Sequence, residues 1–233
     1  MKKNKSKGKL IVIDGIDGAG KATQTKILIK HLKKLKYKTA TLDFPRYYDN
    51  FFGKVIGRFQ NNEFGNAPKT NPYLASVLYA ADRWEAKNKI EKWLKEGKIV
   101  ILDRYSSSNQ IHQGGKISDP KKRKKFLDWL EEMEFNVFKI PKPDMIIFLN
   151  VPYKISKKLL TKKISRNYIK GAKNDKVEKS RVYQESSYLQ SLNLIKKYNN
   201  WIDVNCVKNE KLLSVEDVGD LVWKKIEKVF DRK

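Results

Sequence analysis

Gly15, Gly18 and Gly20 lead into Lys21 in the pattern G-x-x-x-x-G-K, after a short apolar run and before a helix-forming one. Glycines let backbone N–H groups converge on an anion without a Cβ in the way. A helix that follows adds unpaired N–H groups and the positive end of its dipole, and a lysine at this place reaches the β- and γ-phosphates. Gly15, Ile16, Asp17, Gly18, Ala19, Gly20, Lys21, Ala22 and Thr23 therefore read as a phosphate cradle, and the chemistry implied is phosphoryl transfer. One position departs from the pattern. Where a Ser or Thr hydroxyl would sit on Mg²⁺ stands Ala22, and Thr23 is one helical step round.

Three further clusters could act on a phosphate or a planar base. Asp43-Phe44-Pro45-Arg46-Tyr47-Tyr48 joins aromatic rings to a guanidinium, although in isolation Phe44 could equally be core and Arg46 solvated. Asp103-Arg104-Tyr105-Ser106-Ser107-Ser108-Asn109 follows an apolar run. There a carboxylate can hold Mg²⁺ directly or through water, beside an arginine able to grip the acceptor phosphate. Tyr79 and Arg83 stand at i and i+4 of a helical stretch and project from one face; the plain alternative is a surface arginine paired with Asp82 or Glu85. His31 and His112 carry no specific signal on their own.

These clusters need elements to position them. Extended segments at residues 10–14, 38–43, 98–102, 144–150 and 201–206 alternate with amphipathic ones, which predicts an α/β fold with a mainly parallel sheet. Ala22–Lys36 places Leu28, Leu32 and Leu35 on one helical face, Trp84–Glu96 does so with Ile90, Trp93 and Leu94, and two to three helices fit between residues 50 and 97. Ligands of open α/β sheets bind beyond the carboxyl ends of the strands, so the loops after residues 14, 43, 102 and 150 should face one cleft. Thr161–Lys179 is polar, basic and poor in large apolar residues, and reads as a lid.

Composition bounds the function class. The 233 residues suit one catalytic domain, spanning residues 1–233. A net charge of +25 would suit a polyanion binder, but only eight of the 51 cations are Arg, and the lysines are spread over nearly every helix instead of forming one stripe. No specific nucleic-acid function is expected. One cysteine excludes an internal disulfide, and two histidines with it make no zinc set. The apolar run after the basic tail, residues 1–9, is too short for a signal core or a membrane span, so a soluble, cytoplasmic protein is expected.

Taken in order, the glycine loop, Phe44-Pro45-Arg46-Tyr47, Asp82-Arg83, Asp103-Arg104-Tyr105-x-x-Ser108 and a basic lid ending in Asp175-x-x-Glu178 resemble the thymidylate (dTMP) kinase family, over nearly the whole chain. The resemblance implies a P-loop kinase fold, with a five-stranded parallel sheet flanked by helices and a basic lid, moving phosphate from ATP·Mg²⁺ to dTMP in a homodimer. It implies that the loop holds the ATP phosphates and that Asp17 faces the acceptor's sugar and phosphate. Phe44 would stack on thymine, Arg83 donate to O4 and Tyr79 line the wall near the 5-methyl group. Arg104 and Arg46 would hold the 5′-phosphate, Ser108 and Asn109 approach the base edge with Gln113 nearby, and Asp103 help to organise Mg²⁺. With Gly18-Ala19 where some relatives carry an arginine, the transition-state cation falls to the lid, to Arg166 first and then Lys170 or Lys173.

Two departures matter. Ala22 leaves the metal to phosphates, water and Asp103, and His112 stands where relatives of the family it resembles often have Tyr or Phe beside the sugar C2′. The rival readings are a kinase of the same fold acting on another pyrimidine nucleotide or a deoxynucleoside, a nucleic-acid-binding P-loop ATPase, and a degenerate kinase kept as an interaction module.

Overall fold

Branched apolar runs set the centre of the molecule. In the computed structural model, β1 (Lys9–Asp14), β2 (Thr39–Asp43), β3 (Ile99–Asp103), β4 (Met145–Asn150) and β5 (Trp201–Asn205) make one parallel sheet in the order β2-β3-β1-β4-β5. The structure describes residues 8–164 and 175–230, and side chains within residues 8–159, 182–228 and 230. The sheet is covered on both faces, which is why its central strands are apolar throughout rather than alternating. Leu10, Val12, Val100, Leu102 and Phe148 point to one side, with Ala86, Ile90 and Phe126; Ile11, Ile13, Ile101, Ile147 and Leu149 point to the other, with Leu28, Leu32, Val218 and Val222.

The covering helices are α1 (Lys21–Lys34), α2 (Phe51–Gln60), α3 (Pro72–Lys95), α4 (Ser106–His112), α5 (Pro120–Glu131), α6 (Tyr153–Ile164), α7 (Asp175–Lys197) and α8 (Val215–Ile226). A π-helical turn, Glu132–Val137, continues α5, and a small antiparallel hairpin joins Val207–Lys208 to Lys211–Leu212. α1 packs with α8, α2 with α3 and α4 with α7. Among the described residues no helix is long and apolar enough to cross a membrane.

Register brings the chemistry together. Ile13 of β1 and Asp43 of β2 both pair with Asp103 of β3, and Asp14 pairs with Phe148 of β4, so the loops that follow β1, β2 and β3 leave the sheet at one level. Two expectations need correction. Leu35 is 47% exposed instead of sharing the buried face of Leu28 and Leu32, because α1 ends at Lys34 and left-handed Lys36 (φ 65°) turns the chain away. Lys9 belongs to β1 rather than to the tail, its ammonium 3.2 Å from Asp144.

Candidate active site

The helix starts separate α1 from its neighbours. α2, α3, α5 and α8 are each capped by a side chain, from Asn50, Asn71, Asp119 and Ser214; α1 and the seven-residue α4 have no side-chain cap, and α1 alone of these begins at a left-handed glycine, Gly20 (φ 87°). Its first N–H groups stay available to an anion, and Gly20, Ala22 and Thr23 are exposed. Gly15 has little room for a side chain: a Cβ there would lie 3.1 Å from the Leu149 carbonyl and from the Ala19 methyl, closer than an ordinary contact. Lys21 is buried, its Nζ donating to the carbonyls of Gly15 and Ile16 at 3.0 Å each. Burial, aided by the positive charge of Arg104, pushes its ammonium down to about 8 against the pull of Asp17, Asp14 and Asp103.

Beside the loop lies a cavity of about 200 Å³ that Asp17, Phe44, Pro45, Tyr79, Arg83, Arg104, Ser108, Asn109, His112 and Gln113 help to line. Tyr47, Gln60, Asp82, Tyr105 and Tyr183 complete it. Arg104 is the junction between loop and cavity. Its backbone is left-handed (φ 67°), its Nη2 donates to Asp17, and its Nη1 lies 2.9 Å from His112 Nε2 and 3.8 Å from Asp14. Burial opposes the charge of Asp17, but Arg104 and then Lys21 outweigh it and hold the carboxyl below the usual range; burial raises Asp103.

On the far wall Arg83 is gripped by Glu134, Nε at 2.8 Å and Nη2 at 2.6 Å, with both side chains almost wholly buried. Asn109 donates to the same carboxylate at 3.0 Å and to the Ser76 carbonyl at 3.2 Å. This excludes the plain alternative of a surface arginine. Gln113 is buried with its Oε1 lacking a hydrogen-bond partner, an acceptor left for something that enters the cavity. Tyr47, Gln60 and Tyr79 form a chain at the mouth, 3.0 and 3.1 Å per step. Phe44 and Tyr105 lie with ring centroids 5.8 Å apart.

Several residues sit differently from expectation. Arg46 does not line the cavity: Nε lies 3.2 Å from Asp82 Oδ1, Nη2 donates to the Asp82 carbonyl at 3.1 Å, and the guanidinium rests 5.7 Å from the Phe44 ring. Ser108 turns its hydroxyl to Asp14 at 2.8 Å rather than toward a base edge, as does Ser107 at 2.6 Å. Arg166, Lys170 and Lys173 lie outside the described residues, and of Asp175 and Glu178 only the helical backbone of α7 is described.

Glu134, Asp14, Tyr183, Gln184 and Ser187 were not legible as site residues. Asp14 read as the polar end of a strand, and the others sit in helical stretches whose spacing gives no chemical signal. Gln184 Nε2 donates to Asp17, so α7 reaches into the phosphate loop.

A family model described as "Thymidylate kinase" matches residues 13–218. A thymidylate kinase of Plasmodium falciparum is 32% identical over 65% of this chain and 66% of its own length. A probable thymidylate kinase of Thermococcus kodakarensis is 31% identical over 88% of this chain and 96% of its own. The solved structure of thymidylate kinase from Candida albicans shares the fold, with a TM-score of 0.68 and 24% identity, over 97% of this chain and 94% of that one.

Proposed function

The chain belongs to the thymidylate kinase family, and we infer that it transfers the γ-phosphate of ATP to dTMP, giving dTDP and ADP. A 5′-phosphate oxygen of dTMP attacks the γ-phosphorus while the bond to the β,γ-bridging oxygen breaks, and that oxygen leaves with ADP. The protein's task is to bring two polyanions into line and offset the charge spread over the transferred group. The open N-terminus of α1 and Lys21 receive the ATP phosphates, with Lys21 exchanging two loop carbonyls for phosphate oxygens. Arg104, pinned by Asp17, holds the acceptor phosphate. One observation carries this reading: half-buried Arg104 sits between an uncapped phosphate loop and a base-sized cavity.

The cavity also favours thymine. Thymine presents acceptor, donor and acceptor along O4, N3–H and O2, which meets Arg83 as donor and the unpartnered Oε1 of Gln113 as acceptor. Cytosine reverses the first two positions and would set donor against donor.

The residues fit Mg²⁺ by charge. Asp14, Asp17 and Asp103 surround Lys21 and Arg104, an excess of one negative charge before either nucleotide adds its own. Asp103 would hold the ion, partly through water, since Mg²⁺ keeps several waters and takes phosphate oxygens beside one or two carboxylates. Bound there, it would supply positive charge against the phosphoryl group being transferred. The enzyme works as a cytoplasmic homodimer: α3 carries exposed Leu74, Val77 and Trp84 on one side, an apolar face that a second copy would cover.

An ADP-release assay with ATP and Mg²⁺ against dTMP, dUMP, UMP, dCMP, dGMP and thymidine tests the reading. The expected result is turnover greatest with dTMP and lost in Lys21→Ala. Preference for another acceptor would move the specificity, and no turnover would overturn the function.

A further inference from the structure

We propose that His112 is a positioning residue that ties Arg104 to α7 as an Nδ1–H imidazole, accepting from the guanidinium at Nε2 and donating from Nδ1 to Ser187. The proposal rests on the reading of Arg104 as the arginine that grips the acceptor phosphate.

The polarity of the chain of contacts leaves no choice of direction. Arg104 Nη1 can only donate, so His112 Nε2, 2.9 Å away, accepts. The ring proton then sits on Nδ1, which faces the Ser187 oxygen at 3.3 Å. Ser187 donates onward to the Tyr183 carbonyl at 2.8 Å, where the chain ends in the backbone of α7. Each hydrogen in the chain of contacts points the same way, from Arg104 through His112 and Ser187 to the Tyr183 carbonyl. The Tyr183 ring stacks on the imidazole, with centroids 5.7 Å apart and planes 20° from parallel, so the ring is held in orientation as well as by its nitrogens.

The charges facing His112 agree. Burial and the positive charge of Arg104 push the ring down to about 4, with Asp17 and Asp14 opposing and Lys21 assisting, so it remains neutral at working pH. A Phe or Tyr at this place has no acceptor in the ring and cannot hold the guanidinium in this way. Gln184 makes a parallel tie from α7 to Asp17, the other partner of Arg104. α7 thus fixes both halves of the pair, one through Gln184 and one through the histidine.

The chain has only two histidines, so ¹⁵N-histidine labelling of the full protein, with His31→Gln to assign the signals, reads the tautomer directly. The expected result is a protonated Nδ1 and an acceptor-type Nε2 from pH 6 to 8; an Nε2–H ring would overturn the proposal. Kinetics form the second arm. His112→Phe should lower kcat/KM for dTMP on the order of tenfold while the KM for ATP stays within about twofold. His112→Gln, whose Oε1 can accept from Arg104, should recover part of the loss, and Ser187→Ala should fall between parent and His112→Phe. Parent-like turnover of dTMP by His112→Phe would sink the positioning role even with the expected tautomer. Failure of the parent to phosphorylate dTMP strikes the functional reading instead, and the tautomer measurement tells the two apart.

Discussion

On the donor side of the cleft the chain offers backbone and one lysine: a glycine loop, an uncapped helix start, and Gly20, Ala22 and Thr23 open to solvent. On the acceptor side Arg83, Glu134 and Asn109 bond to one another in the interior, and half-buried Arg104 is tied through His112 to Ser187. One side is prepared by geometry and charge alone, and the other by two sets of side chains that hold one another in place. Removing a donor-side group should therefore cost catalysis and leave the fold intact. Removing an acceptor-side group should cost both, because the partner left behind is a buried, uncompensated charge.

The largest separation is expected for Lys21→Ala, which should lower kcat by about 10³-fold, measured in single turnover, with dTMP affinity by calorimetry unchanged. Its melting temperature should hold or rise, since an ammonium disfavoured by burial is removed. An acceptor-side lesion inverts the pattern. Glu134→Ala leaves Arg83 buried without its carboxylate and should cost about 3 kcal/mol, lowering the melting temperature by about 8 °C in a chain of this size. It should also raise KM for dTMP more than KM for ATP. Equal melting temperatures for the two variants would break the comparison.

The two sides also differ in how far they could be read from sequence. All five strands agree with the extended segments of the sequence within a residue at each end, because apolar β-branched runs buried on both faces leave a strong signal. The donor loop was equally plain, its role depending on local spacing. The acceptor pocket was legible only in part. Arg83 stood out, but Glu134 lies 51 residues away on a π turn, one acid among several in Glu131-Glu132-Met133-Glu134, and nothing local marks it as the arginine's partner. The same holds for Ser187 and Gln184, which meet His112 and Asp17 across 75 and 167 residues. Arg46 shows the converse. Its position beside Phe44 suggests phosphate, and the fold instead pairs it with Asp82, so that the carboxylate rather than the guanidinium lines the cavity.

pH offers a smaller effect that still tells the sides apart. Lys21 must be charged to meet phosphate, and burial with Arg104 nearby sets its free-enzyme value at about 8. Protonation is full below that value and lost above it, so kcat/KM for ATP should fall as pH rises through about 8. Bound ATP supplies negative charge that favours the ammonium, so the limb in kcat should lie higher. For stability the sign is opposite: the folded lysine binds its proton less tightly than the unfolded one, so this group's contribution improves as pH rises from about 8 toward its unfolded value near 10.5. Lys21→Arg should abolish the basic limb. A limb unchanged in that variant would assign it elsewhere.

The smallest effect concerns Ala22. It is exposed at the first turn of α1 and takes part in no buried network, so a hydroxyl there would disturb nothing in the fold. Ser in that place could add one oxygen to a metal that otherwise relies on Asp103, water and phosphate, and Mg²⁺ tolerates such additions only in near-octahedral geometry. Ala22→Ser should therefore lower the Mg²⁺ concentration for half-maximal rate by about threefold, a gain of about 0.6 kcal/mol, with KM for dTMP and melting temperature unchanged. The control is Asp103. Asp103→Asn removes the carboxylate to which the metal was assigned and should raise the same Mg²⁺ requirement, and more steeply than Ala22→Ser lowers it. If the serine leaves the Mg²⁺ titration where it was while the asparagine moves it, the metal sits on the Asp103 side, beyond reach of residue 22, and the donor loop binds phosphate through its backbone and Lys21 alone.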